Sequence, residues 1–205
     1  AYTVITSEYK GVKSEVTYYV PQGATYEVWA AKVTNTSDKP RKLAVTGVCE
    51  FVNDANYEQD QVNLQYTLFI TRTYFKGNYI HQMQNEIYNP NSGRFLGLAG
   101  AKVDAYCGDR DSFVGTYRSY SNPKGIEEGL NGDLNYNTNS VGALESDIVL
   151  QPGETKELTY VLGGQKTEAE ITEIISRYEK SGAVEAELAQ LKNYWHSKLD
   201  NLQAN

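Results

Sequence analysis

The densest group of chemically active side chains lies within residues 107–129, which read CGDRDSFVGTYRSYSNPKGIEEG. Asp109, Arg110, Asp111 and Ser112 follow one another in this stretch. An arginine held by a carboxylate keeps further N–H donors that can point at a ligand. The same pairing can instead hold a long loop in one conformation. The four residues therefore predict either a ligand-facing surface or an internal Arg–Asp clamp.

Glycines and tyrosines surround this charged group. Gly108 and Gly115 permit close backbone approach or a positive φ angle. The rings of Tyr117 and Tyr120 can stack on a sugar, or they can pack against their own loop. Residue types alone favour the structural clamp, because most such clusters stabilise the fold.

The remaining sequence holds few groups arranged for catalysis. Residues 53–66, NDANYEQDQVNLQY, are rich in amides and acids and predict either a polar groove or a solvated sheet edge. We interpret His81 and His196, the two histidines of the chain, as structural residues. No zinc-ligand spacing, nucleophile elbow, P-loop or dinucleotide fingerprint is present in the sequence. The chain by itself is therefore not predicted to be a complete enzyme.

Length and charge limit the possible classes of protein. The chain has 205 residues, enough for one substantial domain with a core. Its net charge of −7 argues against nucleic-acid binding, because phosphates would be repelled. Neither an apolar run of roughly 20 residues nor a basic amphipathic stretch indicates a membrane. The first residues continue a strand-like pattern without a methionine, so we expect the chain to be a piece of a longer one.

Cysteine usage predicts the cellular compartment. The sequence has two cysteines, Cys49 and Cys107, which lie far apart. A secreted disulfide scaffold would carry more, so we expect reduced thiols in a cytoplasmic protein. Both are most simply small buried residues.

The elements that must position these residues are mainly strands. Over residues 1–165, apolar and polar side chains alternate with a period of two. The alternating runs are VKSEVTYYV, YEVWAAKV, RKLAVTGVCEF, the longer QVNLQYTLFITRTYF and ETKELTYVLG. Pro- and Gly-rich turn signals separate them. The pattern predicts a large antiparallel β-sandwich.

After residue 165 the period becomes helical. Thr167 and Glu170 form a capping-box pattern, followed by isoleucines at helical spacing. A second amphipathic helix carries an apolar stripe that reaches almost to Asn205, formed by Val184, Leu188, Leu191, Trp195, Leu199 and Leu202. Residues 166–205 are therefore predicted to be two helices that either dock on the sandwich or bridge to a further domain. The length of the stripe favours the bridge.

Several stretches, in this order, resemble the N-terminal region of the inverting β-glucoside phosphorylases of glycoside hydrolase family 94. They are EYKGVKSEVTYYVP, YEVWAAKVTNTSDKPRKLAV, DRDSFVGTYRSYSNP and LQPGETKELTYVLG, with LAQLKNYWHSKLDNLQ resembling the linker helices. The family includes cellobiose, cellodextrin, laminaribiose and chitobiose phosphorylases. The resemblance implies a sandwich and linker helices joined to an (α/α)6 catalytic barrel, which would begin beyond Asn205.

The resemblance also implies a chemistry for the parent enzyme. A carboxylic acid of the barrel protonates the glycosidic oxygen while inorganic phosphate, the co-substrate, attacks the anomeric carbon from the opposite face. Phosphate needs no general base, so one catalytic carboxylate suffices. The products from β-glucan oligosaccharides are α-glucose 1-phosphate and a shortened sugar. No metal or organic cofactor is implied, and a homodimer is expected.

For the stretch DRDSF, the resemblance implies a position and no catalytic role. Asp109, Arg110, Asp111, Ser112 and Tyr117 become candidates for a segment that faces the substrate cleft or the subunit interface. Cellobiose phosphorylases carry a tryptophan-containing stretch where this chain has EFVNDANYEQDQVNLQY. The smaller side chains favour a longer acceptor and hence a cellodextrin phosphorylase, with laminaribiose or cellobiose as alternatives.

Two other interpretations remain open at the level of sequence. The chain can be a free-standing carbohydrate-binding sandwich whose surface tyrosines form the binding platform. It can also be a structural dimerisation module without sugar contact. The first alternative predicts cellodextrin binding by these 205 residues alone, and the second predicts that Arg110→Ala leaves turnover and acceptor affinity unchanged.

Overall fold

The computed structural model describes residues 1–52, 71–84, 93–164 and 166–200, together with Val62 and Phe69. Within these residues the chain forms two antiparallel sheets and four helices. The strands are β1 (Tyr2–Tyr9), β2 (Val12–Tyr19), β3 (Tyr26–Asn35), β4 (Arg41–Glu50), β5 (Thr71–Lys76), β6 (Tyr79–Gln84), β7 (Arg94–Ala99), β8 (Ala105–Asp109), β9 (Ser140–Leu150) and β10 (Thr155–Gly164). The helices are α1 (Arg110–Val114), α2 (Lys124–Glu127), α3 (Glu168–Tyr178) and α4 (Ala183–Leu199). The predicted mainly-β sandwich followed by two helices is confirmed.

The two sheets differ in width. The larger has seven strands in the order β1-β2-β3-β10-β7-β6-β5, and the smaller has three in the order β4-β9-β8. In the smaller sheet, β4 pairs with β9 from Arg41 opposite Leu150 to Glu50 opposite Val141. This register brings the end of β4 beside the end of β8, because β8 pairs with the other edge of β9.

The core between the sheets follows from the alternation of apolar side chains. It is built from Val33, Leu96, Leu98, Leu144, Ile148, Leu158 and Tyr160, with further apolar residues around them. The Tyr160 hydroxyl donates a hydrogen bond to the Val45 carbonyl at 3.0 Å. A buried tyrosine needs such a partner, and here the partner joins the two sheets.

The opposite face of the larger sheet is covered by α3. Thr167 and Glu170 form the predicted capping box at its start. Ile171, Ile174 and Ile175 are buried against sheet residues that include Val28 and Phe95. The first of the two helices therefore docks back on the sandwich, which was one of the two alternatives.

The second helix is less covered. Leu191 of α4 is buried, whereas Trp195 and Leu199 are 41% and 52% exposed. Leu202 lies outside the described residues. The expectation that this stripe bridges to a further domain stays a prediction.

Two predicted segments differ from the observed elements. The long strand predicted over residues 61–75 corresponds to β5 at its end, and its earlier part lies outside the described residues apart from Val62 and Phe69. Residues 107–129, expected to be a loop, contain the end of β8 and the helices α1 and α2. Within the described ranges, no helix is both long and apolar enough to cross a membrane.

Candidate functional site

The predicted site begins where β8 turns into α1. Asp109 caps this short helix, because its side chain accepts a hydrogen bond from the Ser112 backbone N–H at 2.7 Å. Gly108 leaves room for Thr73, whose hydroxyl would clash with an added Cβ, and Gly115 ends the helix with φ 85°. The predicted roles of both glycines are confirmed, and these local features place Arg110 at the first position of α1.

Side-chain hydrogen bonds hold α1 against the segment that precedes β9. The Ser112 hydroxyl donates to Asp133 at 2.7 Å, and the Thr138 hydroxyl donates to Asp109 at 2.5 Å. Asn131 donates to the same oxygen of Asp133 at 2.6 Å. The side chains of Asp109 and Ser112 are therefore occupied by hydrogen-bond partners of their own chain.

Arg110 lies at the centre of a group that we call the Arg110 cluster: Glu50, Arg110, Asp111 and Tyr120. Its Nε lies 3.1 Å from Glu50 Oε1, outside hydrogen-bond geometry, so this contact is an ion pair. Its Nη1 donates to Asp111 Oδ1 at 3.3 Å. The guanidinium also lies 5.7 Å from the centre of the Tyr120 ring, within the range of a cation–π contact.

Tyr120 closes the cluster from the other side. Its hydroxyl donates to Glu50 Oε2 at 2.6 Å, so Glu50 contacts both Arg110 and Tyr120. Burial, and then the hydrogen bond to Glu50, raise the pKa of Tyr120 above its usual value. Burial alone would lower the pKa of Arg110, but Glu50, Tyr120 and Asp111 raise it above its usual value. The cluster therefore holds a charged guanidinium next to a neutral phenol.

The structure corrects the predicted Arg–Asp clamp in one respect. Arg110 pairs with Asp111 but not with Asp109, because both carboxylate oxygens of Asp109 accept other hydrogen bonds. Its second anionic partner is Glu50, which the sequence analysis missed. Glu50 and Arg110 meet only because β4 and β8 flank β9 on its two sides.

Tyr117 lies apart from the cluster. Its side chain is fully exposed, and its backbone has φ 61°, a conformation that a bulky residue rarely adopts. The following residue, Arg118, forms ion pairs with Glu127 and, at 3.0 Å, with Glu128. These pairs fix the loop that presents the exposed ring.

The two histidines have different surroundings. His81 of β6 is buried, and its Nδ1 lies 2.5 Å from the Tyr74 hydroxyl. Burial lowers the pKa of His81 below its usual value, while the carboxylate of Glu168 opposes this shift. His196 is exposed on α4, with Nδ1 3.4 Å from Asp200 Oδ1. Both contacts agree with structural roles.

Among the described ranges, no group of three or more His, Cys, Asp and Glu side chains is placed to hold a metal ion. Cys49 and Cys107 are free thiols, and burial raises the pKa of the Cys107 thiol to about 11. The polar stretch 53–66 lies outside the described residues apart from Val62.

The geometry of the Arg110 cluster suits the binding of a ligand better than it suits catalysis. On its buried side, Glu50 forms an ion pair with Arg110 and accepts a hydrogen bond from Tyr120. Its open side shows the Asp111 carboxylate, whose side chain is 69% exposed, and part of the guanidinium. Exposed charged donors and acceptors can bind a polyhydroxylated ligand or a polar protein surface.

Comparisons with known proteins identify the family of the chain. The model of the "Glycosyl hydrolase 94, supersandwich domain" matches residues 1–181. The chain is 30% identical over 208 aligned residues to an N,N'-diacetylchitobiose phosphorylase of Vibrio furnissii, covering 99% of this chain and 25% of the relative. It is 28% identical to the same-named protein of Vibrio proteolyticus, with the same coverage. A cellobionic acid phosphorylase of Neurospora crassa is 27% identical, and the alignment covers 91% of this chain and 24% of that protein.

The chain thus spans about a quarter of the length of these curated relatives. The family model covers nearly all of the described residues, including both sheets and α3. The observed architecture, two packed antiparallel sheets of seven and three strands, is that of a sandwich. The chain belongs to the glycosyl hydrolase 94 family and is a supersandwich domain of that family.

Proposed function

We propose that this chain is the non-catalytic N-terminal domain of an inverting β-glycoside phosphorylase. The observation that carries the proposal is the similarity to named phosphorylases along 99% of this chain but only 25% of theirs. The parent enzyme would cleave a β-glycoside with inorganic phosphate and release a sugar 1-phosphate and a shortened sugar. It would act as a cytoplasmic homodimer without a metal or organic cofactor.

The contacts of the densest charged site support a role without bond cleavage. A general acid must hold a proton and reach the glycosidic oxygen. Asp109 instead caps α1, and Glu50 is occupied by Arg110 and Tyr120. Phosphate attacks without a general base, so the single acid that the reaction needs can lie in the (α/α)6 barrel of the parent chain.

Within that enzyme, we assign the open side of the Arg110 cluster to the wall of the substrate cleft or to the subunit interface. Arg110 and Asp111 offer charged hydrogen-bonding groups on the end of a fixed helix, and Tyr117 offers an exposed ring. Groups held in place by their own domain position a sugar with little loss of entropy. The domain would thus help to shape the cleft and support dimerisation.

Cellodextrins and N,N'-diacetylchitobiose are the two candidate substrates. The absence of tryptophan from residues 50–66 favours a cellodextrin, because smaller side chains in this stretch would admit a longer β-glucan acceptor. Two of the relatives described above are named N,N'-diacetylchitobiose phosphorylases, which favours diacetylchitobiose as the second candidate. Both substrates are β-linked and differ in acceptor length and in the N-acetyl groups.

The test is a phosphorolysis assay on the protein expressed from its complete reading frame. Cellobiose, cellotriose and N,N'-diacetylchitobiose are each incubated with inorganic phosphate, and the release of sugar 1-phosphate is measured. We expect release from at least one substrate, only when phosphate is present. Hydrolysis that is independent of phosphate, or no cleavage of any of the three, would contradict the proposal.

The 205-residue chain alone is the matched control. We expect no sugar 1-phosphate from it, because the general acid is assigned to another domain. Titration of the same chain with cellotetraose separates the remaining alternative. Saturable binding would favour a carbohydrate-binding module over a domain that contacts sugar only together with the barrel.

A further inference from the structure

A cavity of about 330 Å3, which we call the α3 cavity, lies between the turn that joins β2 to β3 and the two terminal helices. The turn at residues 21–25 forms one wall, in which the Ala24 N–H donates to the Pro21 carbonyl at 3.0 Å and Gly23 has φ 74°. Lys166, α3 and α4 supply the remaining lining. The cavity is thus built from a hydrogen-bonded turn and regular helices, as preformed binding sites are.

One hydroxyl of the lining lacks a well-placed acceptor. Tyr26 lines the cavity although only 8% of the residue is exposed. Its hydroxyl lies 3.4 Å from that of Tyr178, beyond the usual range of about 2.5–3.0 Å for such a bond. Tyr178 has one hydroxyl proton and donates it to Glu187 at 2.7 Å. The Tyr26 proton therefore remains available to a ligand.

Glu187 offers a complementary acceptor in the same cavity. Tyr19 and Tyr178 both donate to its Oε2 atom, at 2.9 and 2.7 Å. Within the part of the chain that the structure describes, no hydrogen-bond donor or ion-pair partner contacts its Oε1 atom. A carboxylate can accept several hydrogen bonds, so Oε1 retains its full capacity. The free donor of Tyr26 and the free acceptor of Glu187 are linked through Tyr178.

The charges of the lining argue against an anionic ligand. Three carboxylates face two cations in the α3 cavity. The Arg177 side chain donates to Glu173 at 2.7 Å, and the Lys166 amine lies 3.8 Å from Glu170. Both cations thus have a carboxylate partner already, and the remaining carboxylate of Glu187 would repel a phosphate.

A neutral sugar ring matches these groups. Each of its hydroxyls can both donate and accept, which suits a free donor beside a free acceptor. Ile174 and Pro21 add apolar surface for the C–H groups of a ring. The volume is at the lower end of the range of about 300–1,000 Å3 that ligand pockets span, so it suits one ring rather than a long chain.

We propose that the α3 cavity binds a neutral monosaccharide unit, with one hydroxyl accepting from Tyr26 and another donating to Glu187 Oε1. This site goes beyond the proposed function, because it lies on the face of the larger sheet that α3 covers, whereas the Arg110 cluster lies at the ends of β4 and β8. A sugar bound there contacts the turn, α3 and α4 together.

The test follows the reactivity of Lys166, whose side chain lines the cavity and is 22% exposed. Lysines are acetylated with an N-hydroxysuccinimide ester in the protein from the complete reading frame, and mass spectrometry gives the rate at each position. The probe is methyl β-D-glucoside, which has no free aldehyde that could react with lysine. Lys102, with a side chain 82% exposed and outside the cavity, is the control position, and the acyclic polyol sorbitol is the control solute.

We expect methyl β-D-glucoside to slow the acetylation of Lys166 severalfold and to leave Lys102 unchanged, with no effect of sorbitol on either. Tyr26→Phe should raise the sugar concentration needed for half of this protection about fivefold, because one hydrogen bond is lost. Tyr194→Phe, on α4 but outside the cavity, is the matched control and should leave it unchanged.

A second variant probes the acceptor. Glu187→Gln keeps an amide oxygen for the two tyrosines but replaces the free acceptor with a donor, so it should weaken the protection as well. Circular dichroism shows whether each variant is folded.

Equal protection of Lys166 and Lys102, equal protection by sorbitol, or undiminished protection in folded Tyr26→Phe and Glu187→Gln would overturn the inference. Protection by inorganic phosphate in place of the sugar would also overturn it, because it would indicate an anion site. The phosphorolysis assay is independent of this test. Phosphorolysis with an unprotected Lys166 would refute the sugar site alone, and a protected Lys166 without phosphorolysis would refute the proposed function alone.

Discussion

At the scale of single residues, the Arg110 cluster shows how contacts within a domain hold a charged side chain in place. Arg110 contacts Glu50 from another strand, Asp111 from its own helix and the ring of Tyr120. About a third of its side chain is exposed, so water screens the ion pairs. The cluster is therefore expected to add modest stability while it fixes the direction of the guanidinium.

The contacts of Arg110 predict that Arg110→Ala lowers the stability of the chain. We expect the free energy of unfolding to fall by about 1 kcal/mol, because an ion pair and a cation–π contact are lost together. Urea unfolding of Arg110→Ala, Glu50→Ala and the double variant measures the coupling between them. Lys102→Ala is the control, since its ion pair with Asp104 is exposed and should contribute no measurable stability. Additive effects of Arg110→Ala and Glu50→Ala would contradict the coupling.

The proposed position of Arg110 predicts an effect of Arg110→Ala on the activity of the complete enzyme. We expect acceptor affinity or turnover to fall, because the guanidinium is assigned to the cleft wall or the interface. Steady-state phosphorolysis with varied sugar and phosphate measures both. Circular dichroism of the variant shows whether the fold survives. Unchanged kinetics in a folded variant would leave the cluster a purely structural role.

His81 predicts a pH dependence of stability. Because burial lowers its pKa in the folded state, the unfolded chain takes up the proton first as the pH falls below about 6.5. The stability contributed by neutral His81 is therefore present above this pH and is lost as the pH falls through the folded pKa. We expect the urea midpoint to decrease between pH 7.5 and pH 5.5, and less so in His81→Gln.

The other histidine serves as the matched control for this experiment. His196 is exposed on α4, so His196→Gln should retain the pH dependence of the unsubstituted protein. If His81→Gln and His196→Gln change the pH dependence equally, burial of His81 is not its cause.

At the scale of elements, one carboxylate joins the two terminal helices to the sandwich. Glu187 of α4 accepts hydrogen bonds from Tyr178 of α3 at 2.7 Å and from Tyr19 of β2 at 2.9 Å. Burial first, and then contacts that include Glu187, raise the pKa of both tyrosines above the usual value. Both hydroxyls therefore remain protonated donors, and α4 is held although Leu191 is its one buried residue within the described part of the helix.

This arrangement predicts that Glu187→Ala destabilises the chain more than its exposure suggests. We expect a loss of about 1–3 kcal/mol in the free energy of unfolding, because two tyrosine hydroxyls lose a charged acceptor. Glu187→Gln should lose less, since its amide oxygen still accepts. Thermal unfolding measures both, with Gln190→Ala on the exposed side of α4 as the control. Equal stability of Glu187→Ala and Gln190→Ala would show that the bonds do not hold the helix.

At the scale of the whole molecule, the larger sheet ends in an uncovered strand. All of β1 is exposed, including the apolar residues Val4 and Ile5, and its outer edge has no strand partner within the described ranges. A long, regular, exposed edge strand is a template for pairing with another chain. The 205-residue chain should therefore self-associate at high concentration.

A lysine on this strand should suppress that association. We expect Ile5→Lys to lower the sedimentation-average mass of the concentrated 205-residue chain towards that of a monomer. Val149→Lys is the control, because Val149 is equally exposed at 56% but lies on β9, the middle strand of the smaller sheet, where it pairs with Lys42 of β4. An equal effect of the two substitutions would indicate general charge repulsion rather than edge pairing.

The sequence by itself determined the local structure of this protein. Period-two alternation predicts the strands, and the Thr167–Glu170 pair predicts the start of α3, because the hydrogen bonds and faces of these elements are set by residues close in sequence. The sequence also predicts the close backbone approach at Gly108 and the positive φ angle at Gly115. The DRDSF stretch was identified as the candidate site, and its family resemblance was confirmed for the domain.

Only the tertiary structure decided the partners of these residues. Glu50 meets Arg110 across 60 positions of sequence, because the order β4-β9-β8 brings their strand ends together. Asp109, the neighbour of Arg110 in sequence, caps α1 and accepts a hydrogen bond from Thr138 and does not pair with Arg110. Within the described ranges, the exposure of β1 at the edge of the larger sheet likewise follows from strand order. Side-chain periodicity sets which face of a strand is apolar, but it does not encode which strands become neighbours.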